Sequence, residues 1–215
     1  MPPISHPLFN PSHPGRNPAL QAAASGQTAV PEQLGEVADG PREQVVLVDD
    51  DGRSIGVADK ASVHGPTTPR HLAFSCYGFA DDGRLLMTRR ADSKATFPSV
   101  WTNTCCGHPA PGEGLAEAAA RRLEFELGLA AEDMRIVLPD FSYRASDGRI
   151  EENEFCPVLV CRILGDPAPR PDEVGETAWW SWSRFLAAAA DPGSGLSPWS
   201  RLQAPLLDAA LSVTD

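Results

Sequence analysis

The sequence has no apolar run long enough to cross a bilayer, little basic charge and almost no lysine. A membrane-spanning helix needs about 20 consecutive apolar residues, so no membrane insertion is expected. Met1 to Asn10 lacks the basic-then-apolar pattern of a secretory signal, and a cytoplasmic location is expected. Lys and Arg together number 18 against 29 Asp and Glu, for a formal net charge of −11. A non-specific nucleic-acid binder needs a basic surface, so nucleic acid is not expected as a partner. CxxC pairs are missing too. The five cysteines, at 76, 105, 106, 156 and 161, are odd in number, which favours free thiols in a reducing compartment over a disulfide framework or a finger-type zinc site.

What is present points to one core with a tail. The chain has 215 residues, of which 42% are hydrophobic, enough for a single domain and too few for two large ones. Residues 1–42 hold eight of the prolines and little periodic apolar content, so a flexible Pro-rich N-terminal extension is expected there, with the folded domain over 43–215. Within that domain Val45 to Val48 and Ile55 to Ala58 read as strands around the Asp49-Asp50-Asp51-Gly52 turn. His71 to Phe79 reads as one strand, turned by Asp81-Asp82-Gly83 into Arg84 to Arg89. Glu113 to Leu127 reads as a helix stopped by Gly128. Phe155 to Leu164 and Ala178 to Trp182 read as strands, and Phe185 to Ala190 starts a helix. A last helix falls within Ser197 to Leu211, with Pro205 forcing a break or a late start.

Four windows carry chemistry. In Trp101 to Pro109, two cysteines, a glycine, a histidine and a proline crowd into five positions. That is either a tight turn with buried thiols or a thiol and an imidazole sharing one cavity. From Gly107 through Glu113, Arg121, Leu123, Glu126, Gly128 and Leu129, the spacing fits most of the Nudix box, a loop–helix–loop that binds a divalent cation beside a diphosphate. Arg122 and Phe125 stand where that box has glutamates, leaving Glu126 alone of three helix carboxylates. Losing them weakens a hydrolase, which needs carboxylates to hold water-activating metal. A plain amphipathic helix with a surface Arg122–Glu126 pair fits the same residues. In Glu151 to Pro157, strand alternation puts Glu152 and Glu154 on one face, where they repel unless a cation lies between them. The adjoining apolar run suggests that they enter the core. His64 and His71 flank a Pro-rich loop with no diagnostic spacing. With His108, Glu152 and Glu154 they make an N/O donor set suited to Mn2+ or Zn2+, and to Mg2+ less well.

Together these strings resemble the type 1 isopentenyl diphosphate isomerases. The carrying segments are Arg70 to Ser75, Thr88 to Ala91, Trp101-Thr102-Asn103 with Cys106 to Pro109, Phe141 to Ala145, Glu152 to Glu154 with Cys156 to Val158, and Ser197-Pro198-Trp199. The resemblance implies an α/β (α+β) fold, a Nudix-type mixed β-sheet sandwiched between helices. It implies an enzyme of isoprenoid biosynthesis that interconverts isopentenyl and dimethylallyl diphosphate through a tertiary carbocation. Cys106 and Glu154 correspond to the acid and base, Tyr143 to their assistant and Trp199 to the aromatic ring beside the cation. His64, His71, His108, Glu152 and Glu154 correspond to the first metal site, for Mn2+ or Zn2+. Glu126, with the Cys106 carbonyl, corresponds to a site for Mg2+ on the substrate diphosphate. Lys60, Arg90, Lys94 and Arg122 correspond to the diphosphate ligands, so both lysines have a place. The implied state is a monomer or weak homodimer.

Two rivals remain at the level of sequence. A Nudix pyrophosphohydrolase shares fold and metal but keeps its helix carboxylates. An inert metal-binding or interaction module predicts gaps among the catalytic positions, and Cys106, Tyr143, Glu154 and Trp199 are all present. Cys105 is expected to be a buried structural thiol.

Overall fold

A computed structural model describes residues 43–212; the expected N-terminal extension over 1–42, with His6 and His13, lies outside the described residues. The chain begins with the antiparallel pair β1 (Gln44–Val48) and β2 (Ser54–Asp59), followed by a single turn of helix, α1 (Lys60–Val63), capped by Asp59. These lead into β3 (His71–Leu72), β4 (Phe74–Phe79) and β5 (Leu85–Arg90), the last two joined by the expected hairpin. Two very short strands follow, β6 (Trp101–Thr102) and β7 (Cys105–Gly107). The Cys-Gly-His window is therefore not a turn alone: Ser75 of β4 pairs with Cys106. Then come α2 (Leu115–Leu127), β8 (Ala130–Leu138), β9 (Ser142–Ser146), β10 (Glu151–Phe155), β11 (Val158–Leu164), β12 (Val174–Trp180), α3 (Trp182–Ala190) and α4 (Pro198–Ser212).

The strands form a mixed sheet in the order β12-β5-β4-β11-β8 and a second sheet in the order β2-β1-β3-β10-β9. Helices cover both faces of the mixed sheet, as expected. Alternation along its strands decides what each face receives. Phe74, Cys76, Leu86, Leu159 and Cys161 pack against Leu123 and Leu127 of α2. Tyr77, Phe79, Leu85, Met87, Val158 and Val160 pack against Phe185 of α3 and Leu207 of α4. Each fully buried side chain of this size contributes roughly 1.5–3 kcal/mol.

The segments 71–79 and 155–164 each prove to be two strands rather than one. The two breaks lie side by side. β10 runs parallel to β3, with Glu154 opposite His71, and β11 runs parallel to β4, with Val158 opposite Ser75. Between them the Ala73 amide donates to the Phe155 carbonyl at 2.9 Å and the Ser75 amide to the Pro157 carbonyl at 3.2 Å. Pro157 has no N–H to continue a ladder, so both chains leave one sheet and enter the other at the same level. His71, Glu154, Ser75 and Cys106 all stand at this seam.

Helix limits follow local chemistry. α2 starts at Leu115, not Glu113, because Gly114 is extended and Glu117 Oε2 accepts from its amide at 3.1 Å. It ends at Gly128, whose φ of 63° is the left-handed conformation glycine tolerates. α4 corrects the expectation at Pro205: the helix runs through without breaking or starting late. Pro205 lies on its exposed face while Gln203, Ala204, Leu207 and Leu211 are buried. Burial of that stripe outweighs the one backbone hydrogen bond that proline removes.

Candidate active site

At the seam between the sheets the chain lines a cavity of about 970 Å³. Every candidate catalytic, diphosphate-binding and metal-binding residue borders it except His71, which is fully buried. One wall is built by α1, β3, β7 and β10. Lys60 and His64 bracket the single turn of α1, so both face the cavity. His71 Nε2 lies 3.1 Å from His108 Nε2, and these nitrogens lie 3.8 and 3.4 Å from Glu154 Oε1. His64 Nε2 lies 3.1 Å from Glu152 Oε2, yet neither atom has an aligned hydrogen-bond partner although both are buried. The expected shared face of Glu152 and Glu154 is observed, with both side chains turned inward.

Electrostatics on this wall follow from burial. Desolvation pushes Glu154 up to about 7, reinforced by the adjacent Glu152 carboxylate. Desolvation holds the His108 imidazole down at about 3 and also lowers His71. Burial works against the charged forms of His64 and Glu152 as well, but their mutual contact prevails, raising His64 and lowering Glu152. Three imidazoles and two inward-facing carboxylates, with ligand atoms within 4.8 Å of one another in two overlapping triads, fit a divalent cation. The orphaned His64 Nε2 and Glu152 Oε2 are the atoms such an ion would satisfy.

Beside them stands the Cys106 thiol, pushed up to about 12 chiefly by burial, then by Cys105 and Glu154. Its Sγ donates to Asn103 Oδ1 at 3.0 Å. Tyr143, opposite Glu154 in the β9–β10 pairing, has its phenol raised well above the ordinary value by burial. Its ring lies 5.8 Å from that of Trp199, and Phe97 meets Trp199 edge-on at 5.3 Å. Trp199 is buried, at the start of α4.

Cations stand around the rest of the cavity, Lys60 on α1 itself and Arg90, Lys94 and Arg122 on the opposite wall. Arg122 and Glu126 do form an ion pair, at 2.7 Å, but it is buried and not at the surface. Close packing sets it there: a Cβ on Gly107 would meet Arg122 Cγ at 3.0 Å and the Phe74 ring at 3.2 Å. Desolvation raises Glu126 against the opposing pull of Arg122. Lys94 reaches Glu173 at 2.5 Å, Arg122 reaches the same carboxylate oxygen at 3.1 Å, and Lys60 pairs with Glu43 at 2.5 Å. Arg90 donates to the Thr96 and Phe97 carbonyls, at 2.8 and 3.1 Å. That grip stabilises Phe97 at a φ of 44° and sets the guanidinium 5.8 Å from the Trp199 ring.

Three side chains at the site carried no assigned role in the sequence: Glu43, Glu173 and Asn103. The two carboxylates sit in runs of ordinary polar residues, with no spacing that signals them. Asn103 belongs to the Trp-Thr-Asn string, but only the fold reveals what its amide touches. Cys105 is buried in the core against α2, as expected, and all five cysteines are free thiols. Among the described residues, no helix is long and apolar enough to cross a membrane.

The NUDIX domain family matches residues 69–199. The chain is 58% identical over 170 residues to the isopentenyl-diphosphate Delta-isomerase of Mycolicibacterium vanbaalenii, covering 78% of this chain and 93% of that protein. It is 54% identical over 162 residues to the isopentenyl-diphosphate Delta-isomerase of Saccharopolyspora erythraea, covering 75% and 84%. Among solved structures it resembles DR0079 from Deinococcus radiodurans, with a TM-score of 0.57 at 20% identity over 74% of this chain and 96% of that one. The MutT protein from Methanosarcina mazei matches with a TM-score of 0.52 at 19% identity, over 66% and 94%. These two likenesses concern the fold.

Proposed function

The chain belongs to the isopentenyl-diphosphate Delta-isomerases of the NUDIX domain family, and from that premise we propose that it interconverts isopentenyl and dimethylallyl diphosphate in the cytoplasm. The substrate's diphosphate binds among Lys60, Arg90, Lys94 and Arg122. To receive it, Lys60 and Lys94 exchange contacts with Glu43 and Glu173 for contacts with phosphate oxygens, and Arg122 keeps Glu126 beside it. The hydrocarbon end then lies toward Cys106, Glu154, Tyr143 and Trp199.

Isomerisation adds one proton to the terminal alkene carbon, leaving a tertiary cation, and removes another from the neighbouring methylene. Cys106 and Glu154 divide these two transfers. Burial leaves the thiol neutral and, without a metal ion, brings Glu154 to about 7, so the thiol holds its proton more tightly than the carboxylate. The Trp199 ring face attracts the cation, and Tyr143 directs its hydroxyl toward Glu154. The surrounding apolar side chains exclude water that would trap the cation as an alcohol. His64, His71, His108, Glu152 and Glu154 would hold a divalent ion, Mn2+ or Zn2+, whose charge would lower the proton affinity of Glu154. Glu126 would hold Mg2+ arriving with the diphosphate, and this second ion would neutralise phosphate charge.

The observation that carries this reading is geometric: Cys106, Glu154 and the Trp199 indole line one cavity with Lys60, Arg90, Lys94 and Arg122. The test is conversion of isopentenyl diphosphate in deuterated water with Mg2+ present. Dimethylallyl diphosphate carrying solvent deuterium is expected. Absence of conversion, together with rapid release of phosphate from nucleoside diphosphate derivatives, would instead make the protein a hydrolase.

A further inference from the structure

We propose that Asn103 is a positioning residue whose side-chain oxygen aims the Cys106 thiol and the Trp199 indole at one reaction centre. This rests on the isomerase reading but assigns a residue that the reading does not use. Asn103 is fully buried between β6 and β7. Its amide nitrogen donates to the Cys105 carbonyl at 2.6 Å and the Cys76 carbonyl at 3.1 Å. Both donors are thereby spent on rigid backbone, and the amide cannot turn over without orphaning them. Oδ1 must therefore point the other way, where it accepts from Cys106 Sγ and from Trp199 Nε1, each at 3.0 Å.

Four donors lie within reach of this oxygen, and their alternatives decide which depend on it. The Thr102 and Ser200 hydroxyls, at 2.8 and 3.4 Å, also face each other, and Thr102 faces Ser197 at 3.1 Å. Among the described residues the thiol's other hydrogen-bond partner is Ser75 Oγ, at 3.8 Å, which already accepts from Gln203 at 3.0 Å. Among the described residues the indole N–H has no other hydrogen-bond partner. Asn103 Oδ1 thus ties a thiol on β7 to a ring on α4, two elements far apart in sequence. A displacement of about 1 Å in such a pair costs on the order of 10²-fold in rate.

Two measurements test this, one without reference to turnover. In the wild-type protein the Cys106 S–H stretch, isolated by infrared difference against Cys106→Ala, is expected at a hydrogen-bonded frequency; a free-thiol frequency would overturn the proposal. Asn103→Ala is expected to move that band to the free position. It is also expected to lower kcat about 10²-fold while KM for isopentenyl diphosphate changes less than about threefold, because the cations holding the diphosphate are untouched. Equal losses in kcat and in substrate affinity, or an unchanged kcat, would overturn the positioning role. Should Asn103→Ala not fold, Trp199→Phe removes the indole donor and retains a ring, and the wild-type band alone still decides the thiol contact. If the wild-type protein does not isomerise at all, the functional reading falls, while the band reports separately on the thiol–amide contact.

Discussion

The two walls of the cavity solve opposite electrostatic problems. On the wall of α1, β3 and β10, burial favours the neutral forms of His71 and His108 and two carboxylates are forced close, leaving His64 Nε2 and Glu152 Oε2 without aligned partners. Each cation already has an anionic or carbonyl partner: Lys60, on α1 itself, with Glu43, and across the cavity Lys94 with Glu173, Arg122 with Glu126 and Glu173, and Arg90 with loop carbonyls. The donor cluster crowds imidazoles and carboxylates together, whereas Lys60, Lys94 and Arg122 each hold positive charge against a carboxylate. A protein with a net charge of −11 can therefore still present a local anion site, because pairing keeps buried cations tolerable until substrate arrives.

The sharpest break in this comparison falls on the pair proposed to transfer protons, Cys106 and Glu154. Cys106→Ala and Glu154→Gln are each expected to cut turnover by about 10³-fold or more, with far-ultraviolet dichroism unchanged. Near-normal turnover in either variant would remove it from the acid–base assignment. Next comes the histidine wall itself. His71→Ala is expected to lose bound divalent metal by elemental analysis and about 10²-fold in turnover. Retention of full metal content would show that the cluster is not the ion's site.

On the cation wall the effect is smaller and of a different kind. Lys94→Ala is expected to raise KM for the diphosphate substrate about tenfold with kcat nearly unchanged, the loss of one charge-assisted contact. A fall in kcat with KM constant would place Lys94 in the chemistry instead. The smallest effect is in stability, measured on protein stripped of metal by chelation. Glu154 rises from 4.5 to about 7 on folding, so the native state binds the extra proton between those values. Stability therefore falls as pH rises through that window. His108 drops from 6.5 to about 3, so the unfolded state binds the extra proton and stability rises with pH between 3 and 6.5. The two oppose each other between 4.5 and 6.5, giving a broad maximum there. Above pH 7 Glu154→Gln removes the buried charge and is expected to melt a few degrees higher than wild type. A difference in melting temperature that does not vary with pH would contradict this.

The strands around the acidic turn, the hairpin at Asp81-Asp82-Gly83 and α2 with its Gly128 stop were legible because turn chemistry and capping act over a few residues. The two broken strands were not. His71 to Phe79 has no internal proline or glycine before Gly78, and its division at Ala73 depends on a neighbour more than eighty positions away. The same holds at Pro205, where local propensity argues for a break and packing of Leu207 and Leu211 overrides it. At the site, the residues carrying unusual chemistry could be picked out by type and by resemblance. Asn103, Glu43 and Glu173 could not, since their importance lies in what they touch.

By itself the sequence determined the kind of protein. Its charge and apolar lengths argue against whole classes, its caps and turns define several elements, and its histidines, glutamates and Cys106 mark the candidate site. Only the tertiary structure decided that His71 and Glu154 come opposite each other, that the Arg122–Glu126 pair is buried, and that one amide oxygen joins Cys106 to Trp199. The reason is range: caps and turns are settled between neighbours in sequence, whereas pKa shifts and hydrogen-bond networks arise from burial and contacts that exist only once distant strands have paired.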